Sequence, residues 1–117
     1  MAVRTIIFRG KRIDNGEWVE GSYCHAEKLD RSGDEHFIIE YSANGSSHRV
    51  DPDTVGQYVG LKDKNGKRIF ENGYMIIDKQ TYKVLFDNGE YILKNIFNCD
   101  IIQLKNNPNI GVFVDEI

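Results

Sequence analysis

The chain has 117 residues, of which 40% are hydrophobic and 28% charged, and its formal net charge is −3. These values are typical of one globular domain and argue against a disordered, collagen-like or coiled-coil protein. No apolar run reaches the 18 or so residues of a membrane-spanning helix, and the first residues lack a signal-peptide pattern. We therefore expect a cytoplasmic protein with no membrane attachment.

Charge is segregated along the chain. Residues 1–13 carry four basic residues and no acid, and residues 61–83 carry six basic against three acidic residues. Residues 14–60 carry ten acidic against three basic residues, and residues 84–117 carry five against two. The two basic stretches are therefore candidates for contact with an anionic partner, although the net charge is negative.

The dipeptide Asn-Gly occurs five times and predicts tight turns, because both residues tolerate the positive φ that hairpin turns require. The five copies are Asn15-Gly16, Asn44-Gly45, Asn65-Gly66, Asn72-Gly73 and Asn88-Gly89. β-prone residues on both sides of the first copy predict a hairpin between residues 5–13 and 17–20. We interpret the polar residues 21–35 as an exposed loop, followed by a second hairpin between residues 36–41 and 48–50.

The central stretch, residues 50–70, contains two strong turn signals. Pro52 fixes its own φ, and Asp53 or Thr54 can accept a backbone N–H, so residues 52–55 are predicted to form a single-turn corner. Asp63 and Gly66 occupy the first and fourth positions of a type I turn. That turn is predicted to join strands at residues 57–62 and 67–71.

The C-terminal half has the densest strand signal. Residues 74–77, 81–86 and 90–93 predict a three-stranded meander in which Tyr82, Val84 and Phe86 share one face, with Lys83 and Leu85 on the other. One helical turn is expected at residues 94–97. Strands are expected at residues 100–104 and 111–114. Short, bent strands at this density favour a small SH3-like barrel.

Together these elements predict a mainly β fold of antiparallel hairpins and a meander, with little helix and a small SH3-like barrel in the C-terminal half. We expect a single domain over residues 1–117. Its predicted parts are N-terminal hairpins over residues 1–50, a central motif over residues 50–72, a barrel-like meander over residues 73–104 and a tail strand over residues 105–117.

The central motif also carries a family resemblance. Residues 53–58, Asp-Thr-Val-Gly-Gln-Tyr, with residues 60–67 and 69–71, resemble the YopX family of small proteins, which is found mainly in temperate phages and prophages. Residues 8–11, 18–21 and 84–89 are also similar to that family, which usually has Gly-Asp where this chain has Asn72-Gly73. The resemblance implies a mainly β fold and a phage or prophage context. It implies no activity that can be assigned to particular residues.

Metal ligation and catalysis find little support in the sequence. Residues of metal-binding types are Cys24, His25, His36, His48 and Cys99. They lack the two close ligand pairs of structural zinc sites, and reduced thiols are expected, so we predict no metal and no cofactor. No nucleophile has a recognisable catalytic frame, and Asp51, Asp53 and Asp63 are interpreted as backbone caps. We therefore expect no catalytic residue and no enzyme.

Two binding functions remain. Nucleic-acid binding is indicated by basic residues near Tyr58 and Phe70, to which the N-terminal Arg4, Arg9, Lys11 and Arg12 could add. Protein interaction or self-association is indicated by six tyrosines and six phenylalanines, more than one small barrel must bury. We rank an accessory role with an unidentified protein partner or a second copy first, nucleic acid second and an enzyme third, and no small-molecule substrate is indicated. The candidate surface consists of Gln57, Tyr58, Lys62, Lys64, Lys67 and Arg68.

Overall fold

The structure is a computed structural model that describes residues 6–26, 34–41, 45–106 and 111–116. Its contacts divide the chain into two compact units, Met1–Gln57 and Tyr58–Ile117. Each unit is described by itself below. The single domain expected from the sequence stays a prediction.

The described residues form β-strands and two short 3₁₀ turns. The strands are β1 (Phe8–Lys11), β2 (Trp18–Ala26), β3 (Glu35–Glu40), β4 (Ser47–Arg49), β5 (Gly56–Lys62), β6 (Arg68–Phe70), β7 (Tyr74–Ile77), β8 (Gln80–Asp87), β9 (Glu90–Asn95), β10 (Ile101–Gln103) and β11 (Val112–Val114). The 3₁₀ turns span Pro52–Thr54 and Leu104–Asn106. All strand pairs in the described chain are antiparallel, so the predicted mainly β fold with little helix is confirmed.

In the first unit the strands pair in the order β4-β3-β2-β1-β5. Strand β5 joins at its first residues, where Gln57 pairs with Phe8. The buried centre is formed by Val19, Ile38 and Val50, against which Phe8 and other half-buried side chains pack. Gly21 lies where β2 meets β3, and a Cβ at this position would come within 2.0 Å of the Ile39 carbonyl oxygen, so only glycine fits.

Strand β2 is longer than the sequence predicts. Residues 21–26 belong to it rather than to the expected loop, and they pair with β3 from Gly21–Glu40 to Ala26–Glu35. Long-range pairing with β3 satisfies the backbone of this polar stretch, which local composition could not reveal. Residues 27–33 of the predicted loop lie outside the described residues, and its last residue, Glu35, begins β3. The second hairpin is confirmed as β3 and β4.

The predicted corner at residues 52–55 is confirmed as a 3₁₀ turn. Asp51 Oδ1 accepts a hydrogen bond of 3.0 Å from the backbone N–H of Asp53. The Lys11 N–H donates to Thr54 Oγ1 at 2.8 Å, which ties the corner to β1. The side chains of Asp51 and Thr54 thus serve the backbone, and the capping interpretation is confirmed for Asp51. It is wrong for Asp53, whose side chain forms no hydrogen bond with any described residue because Asp51 already occupies the N-cap position.

In the second unit, the end of β5 pairs with β6, and Tyr58 lies opposite Phe70. A five-stranded sheet follows in the order β10-β9-β8-β7-β11, so the predicted meander of three strands is confirmed and extended by one strand on each side. Its buried face carries Met75, Val84, Leu93 and Phe113, each 1% exposed or less. Strands β10 and β11 are the edges of this sheet, so the described residues form no closed barrel, and the small-barrel form stays a prediction.

The end of β9 departs from the sequence prediction. Residues 94 and 95 continue the strand, and residues 96–98 form a turn in place of the helical turn expected at residues 94–97. The strand expected at residues 100–104 is shorter, because Leu104 begins a 3₁₀ turn. Pairing of β9 with both β8 and β10 keeps Lys94 and Asn95 extended.

The Asn-Gly turns have the positive φ angles that the sequence predicts. Glycines 16, 45, 66 and 89 all have φ between 55° and 82°. At the remaining copy Asn72 adopts the positive φ, 71°, in place of its glycine. Four copies connect consecutive strands that pair as hairpins, whereas Asn72-Gly73 connects β6 to β7, which do not pair.

Candidate functional site

The turn of the β5–β6 hairpin is organised by one buried carboxylate. Asp63 is 3% exposed. Its Oδ1 accepts hydrogen bonds from the backbone N–H groups of Asn65 at 2.9 Å and Lys67 at 2.8 Å. Its Oδ2 accepts from the N–H of Phe113 on β11 at 2.8 Å. One side chain therefore fixes both the hairpin turn and the attachment of the edge strand.

Two opposing effects act on the pKa of Asp63. Burial disfavours the charged carboxylate, but the N–H groups of Phe113, Lys67 and Asn65 together outweigh burial, and the Lys67 charge adds to them. The pKa of Asp63 is consequently lowered from its ordinary value, so the carboxylate is ionised at neutral pH. A low pKa and fully used oxygens make Asp63 a structural group rather than a proton donor.

Aromatic side chains of the hairpin continue into the core of the second unit. The ring centroids of Tyr58 and Phe70 lie 5.7 Å apart, and those of Phe70 and Phe113 lie 6.5 Å apart. Arg68 places its guanidinium carbon 5.7 Å from the Tyr58 ring centroid. Lys67 Nζ lies 5.4 Å from the Phe113 ring centroid. Tyr58, Lys67 and Arg68 are therefore engaged with the aromatic core of their own unit.

The lysines and the glutamine of the predicted surface differ in exposure and in ion pairing. Lys62 and Lys64 are exposed, and no described residue forms an ion pair with either of them. Lys67 differs, since its Nζ lies 3.7 Å from Asp115 Oδ1. Gln57 is half-buried at the start of β5. The use of these six residues as an interaction surface stays a prediction.

The N-terminal basic residues are mostly occupied locally. Arg9 is 4% exposed, and its guanidinium carbon lies 4.2 Å from the Trp18 ring centroid. Arg12 donates from Nε and Nη2 to the two oxygens of Asp14, at 2.9 and 2.6 Å. Arg4 lies outside the described residues. Arg9 and Arg12 are therefore poorly placed to contact phosphates in the way expected from sequence.

The three histidines lie on neighbouring strands of the first unit. His25 and His36 are cross-strand partners whose parallel rings have centroids 4.5 Å apart. His36 Nδ1 lies 2.5 Å from the Tyr23 hydroxyl, and His25 Nε2 lies 3.0 Å from Asp34. Stacked imidazoles cannot both direct a nitrogen at one ion. Within the described parts of the chain no three His, Cys, Asp or Glu residues are arranged to hold a metal, and both cysteines are exposed free thiols.

Two open clefts adjoin in the first unit. One of about 530 Å³ is lined by Lys11, Arg12, Ile13, Gly16, Asp51 and Pro52, and a neighbouring one of about 290 Å³ shares Arg12 and Ile13 with it. Hydrogen bonding to Arg12 lowers the pKa of Asp14 in the smaller cleft. Asp51 in the larger cleft already accepts a backbone hydrogen bond. Asp14 therefore lacks the raised pKa of a general acid.

The turn after β9 presents the most exposed aromatic ring among the described residues. Phe97 is 85% exposed. Asn95, which is 3% exposed, holds this turn: its Oδ1 accepts from the N–H groups of Phe97 at 2.9 Å and Asn98 at 3.2 Å. Its Nδ2 donates to Gln80 Oε1 at 2.8 Å. The neighbouring Ile96 and Ile101 are 37% and 57% exposed. A fixed backbone therefore carries three exposed apolar side chains within six positions.

The sequence reasoning missed this turn, although a signal was present. Asn95 and Asn98 flank the apolar pair Ile96-Phe97, and Asn side chains commonly accept hydrogen bonds from N–H groups two or three residues ahead. Asn98 does the same for Asp100, at 2.9 Å. Two asparagines that flank an apolar pair therefore indicate an ordered turn rather than a helical turn. In such a turn the apolar side chains point outward.

Comparison with known protein families shows to which family the chain belongs. The family described as YopX protein matches residues 7–114. The chain belongs to the YopX family. Searches of curated proteins and of solved structures return no match. The family match covers most of both compact units, and the Asp63 hairpin and the Phe97 turn lie within it. Helices are short throughout the described residues of this YopX chain, and none could span a membrane.

Proposed function

We propose that this YopX chain is a phage- or prophage-type accessory protein that acts as a protein-interaction or self-associating module. The observation that carries the proposal is the Phe97 turn. A phenylalanine that stays 85% exposed contributes almost nothing to the core, and transferring its ring out of water favours association.

The backbone of the turn supports the same proposal. Asn95 fixes the N–H groups of Phe97 and Asn98, so little backbone order has to be gained when a partner binds. Hot spots of protein interfaces are commonly aromatic side chains surrounded by smaller apolar contacts. Phe97 with Ile96 and Ile101 fits this description better than the predicted hairpin surface, where Tyr58 already packs against Phe70.

The test uses Phe97→Ser with Phe86→Ser as its matched control. Phe86 is also an exposed phenylalanine, at 55%, but it packs against Tyr91 with a centroid distance of 5.0 Å. Light scattering measures self-association, and capture on the immobilised chain from a bacterial lysate measures partner binding. We expect an oligomer or a specific partner that Phe97→Ser abolishes and Phe86→Ser retains. A strict monomer that captures nothing would refute the proposal.

Nucleic-acid binding is the second candidate. It is supported by Lys62 and Lys64, which are exposed at the hairpin and lack an ion-pair partner in the described chain. It is weakened by the local engagement of Arg9 with Trp18 and of Arg12 with Asp14. Binding through phosphates would show as retention on single-stranded DNA that falls steeply with salt and is reduced by Lys62→Glu with Lys64→Glu. Absence of retention at low ionic strength would remove this candidate.

A further inference from the structure

One row of residues crosses the outer face of the five-stranded sheet in the second unit. Cross-strand register aligns Val114, Tyr74, Lys83, Lys94 and Ile101, one residue from each strand. The adjacent residues Met75, Val84 and Leu93 point to the opposite face and are fully buried. The row therefore belongs to the other face of the sheet, on which Ile92 is buried, at 6% exposed, whereas the residues of the row are half-buried or exposed.

Two lysines stand directly opposite each other at the centre of this row. Lys83 on β8 is the register partner of Lys94 on β9, and both are half-buried. Side chains at such positions have Cβ atoms about 5 Å apart, and like charges there are destabilising. Neither lysine forms an ion pair with any described residue. As far as the described residues extend, the sheet thus holds two neighbouring positive charges without an ion-pair partner.

Aliphatic side chains surround the lysine pair. Ile101 on β10 and Ile76 on β7 are 57% and 38% exposed. Val112, the register partner of Ile76, and Val114 are half-buried on the opposite edge strand, β11. Leu85, next to Lys83 along the same face of β8, is also half-buried. Apart from Tyr74, the face offers no aromatic ring in its central row. An acidic group placed over Lys83 and Lys94 would therefore be surrounded by apolar contacts.

We propose that this outer face, defined by Tyr74, Ile76, Lys83, Lys94 and Ile101, binds a protein segment that sets acidic side chains over the two lysines and aliphatic side chains against the isoleucines. Charge complementarity identifies the acidic part of the partner, because a carboxylate removes the Lys83–Lys94 repulsion on binding. The aliphatic surroundings favour a protein over nucleic acid, since bases bind by stacking on aromatic rings.

This inference rests on the proposed protein-interaction role and adds the chemistry of the partner. The probes are a fluorescent 12-residue peptide of alternating Leu and Glu, a matching peptide of alternating Leu and Lys, and a labelled oligothymidine. Each is titrated with the full chain, and anisotropy gives the dissociation constant. The variant is Lys83→Glu with Lys94→Glu, and the control is Lys62→Glu with Lys64→Glu, which changes the net charge equally at the β5–β6 hairpin.

For the unsubstituted chain we expect salt-sensitive binding of the Leu/Glu peptide. Lys83→Glu with Lys94→Glu should weaken it at least tenfold and create binding of the Leu/Lys peptide, whereas the control should change it less than threefold. The single change Lys94→Glu should raise the melting temperature, because it replaces a like-charge pair by an opposite pair. A cooperative melting transition recorded for each variant shows that it folds.

Three results would overturn the inference. They are no Leu/Glu binding by the unsubstituted chain, equal weakening in the variant and the control, or tighter binding of oligothymidine that depends on Lys83 and Lys94. The proposed function fails separately, by the absence of any Phe97-dependent oligomer or partner. Loss of the outer-face inference with Phe97-dependent association intact would leave the proposed function standing.

Discussion

Two turns of the second unit use the same backbone chemistry and present opposite kinds of surface. Asp63 and Asn95 are each 3% exposed, and each accepts hydrogen bonds from N–H groups of the residues that follow it. Asp63 additionally reaches the N–H of Phe113 on a distant strand, whereas Asn95 reaches the side chain of Gln80. In both turns one polar side chain fixes the path of the chain.

The side chains that these turns carry have different environments. At the Asp63 turn, Lys67 lies against Phe113 and Arg68 lies against Tyr58, so the hairpin closes over its own aromatic rings. At the Asn95 turn, Phe97 remains 85% exposed. The Asp63 turn, which is conspicuous in the sequence, therefore stabilises the fold. The Asn95 turn, which has no conspicuous sequence motif, carries the exposed aromatic residue.

Of the polar residues that hold the two turns, Asp63 should show the largest effect on stability when its carboxylate is removed. Asp63→Ala leaves the N–H groups of Asn65, Lys67 and Phe113 without their acceptor, and the free energy of unfolding should fall by about 3 kcal/mol. Asp53→Ala is the control, because Asp53 is exposed and only its backbone N–H is used by the corner, so a change within about 0.5 kcal/mol is expected. Urea unfolding measures both, and equal losses would contradict the central role of Asp63.

The charge of Asp63 also predicts a pH dependence. Its pKa in the folded chain is lowered from the ordinary value of 3.8, so unfolding allows the carboxylate to take up a proton more easily. The stabilisation is complete above the unfolded pKa of about 4 and is lost as the pH falls through the folded pKa. The difference in unfolding free energy between the unsubstituted chain and Asp63→Asn should therefore shrink below about pH 4. A constant difference down to pH 2 would show that the charge contributes nothing.

The Asn95 turn should show a smaller loss of stability. Asn95→Ala removes the acceptor for the Phe97 and Asn98 N–H groups and the donor to Gln80, and about 2 kcal/mol is expected because Asn95 is buried. Asn98→Ala removes one exposed hydrogen bond to the Asp100 N–H and should cost about 0.5 kcal/mol. Thermal unfolding of the two variants compares them directly. A larger loss of stability for Asn98→Ala than for Asn95→Ala would show that Asn95 is not the main residue that stabilises this turn.

Among the lysines of the β5–β6 hairpin, the one that contacts an aromatic ring should contribute more to the free energy of unfolding. Lys67→Ala loses the approach to Phe113 and the partly exposed pair with Asp115, and about 0.5 kcal/mol is expected. Lys64→Ala should leave the free energy of unfolding unchanged, because its side chain has no ion pair among the described residues. Indistinguishable urea midpoints for the two variants would show that the Lys67 contacts are energetically neutral.

Phe97 should contribute little to stability. Phe97→Ala removes a ring that is already 85% exposed, so the free energy of unfolding should change by less than about 0.5 kcal/mol. Phe113→Ala, by contrast, empties a position that is 1% exposed and should cost about 4 kcal/mol. Calorimetry of both variants tests the contrast. A loss above 1 kcal/mol for Phe97→Ala would assign the ring to the core and weaken the proposed interaction role.

Local sequence signals were most informative where backbone geometry alone decides the structure. The Asn-Gly turns, the corner at Pro52 and the type I turn at Asp63 each depend on residues within a few positions of one another, and the structure confirms them. The capping interpretation of Asp63 is also confirmed, although its bond to Phe113 joins residues 50 positions apart and no local pattern indicates it. By contrast, Asn95 is extended because β9 pairs with β8 on one side and with β10 on the other.

The sequence by itself determined the class of fold, the turns that punctuate it and the alternation that puts Lys83 opposite in direction to Val84. Only the tertiary structure decided that residues 21–26 extend β2, that Phe97 remains outside the core, and that Lys83 meets Lys94 across two strands. The physical reason is that turn geometry follows from the φ preferences of adjacent residues, whereas burial and cross-strand neighbours follow from the register of segments distant in sequence.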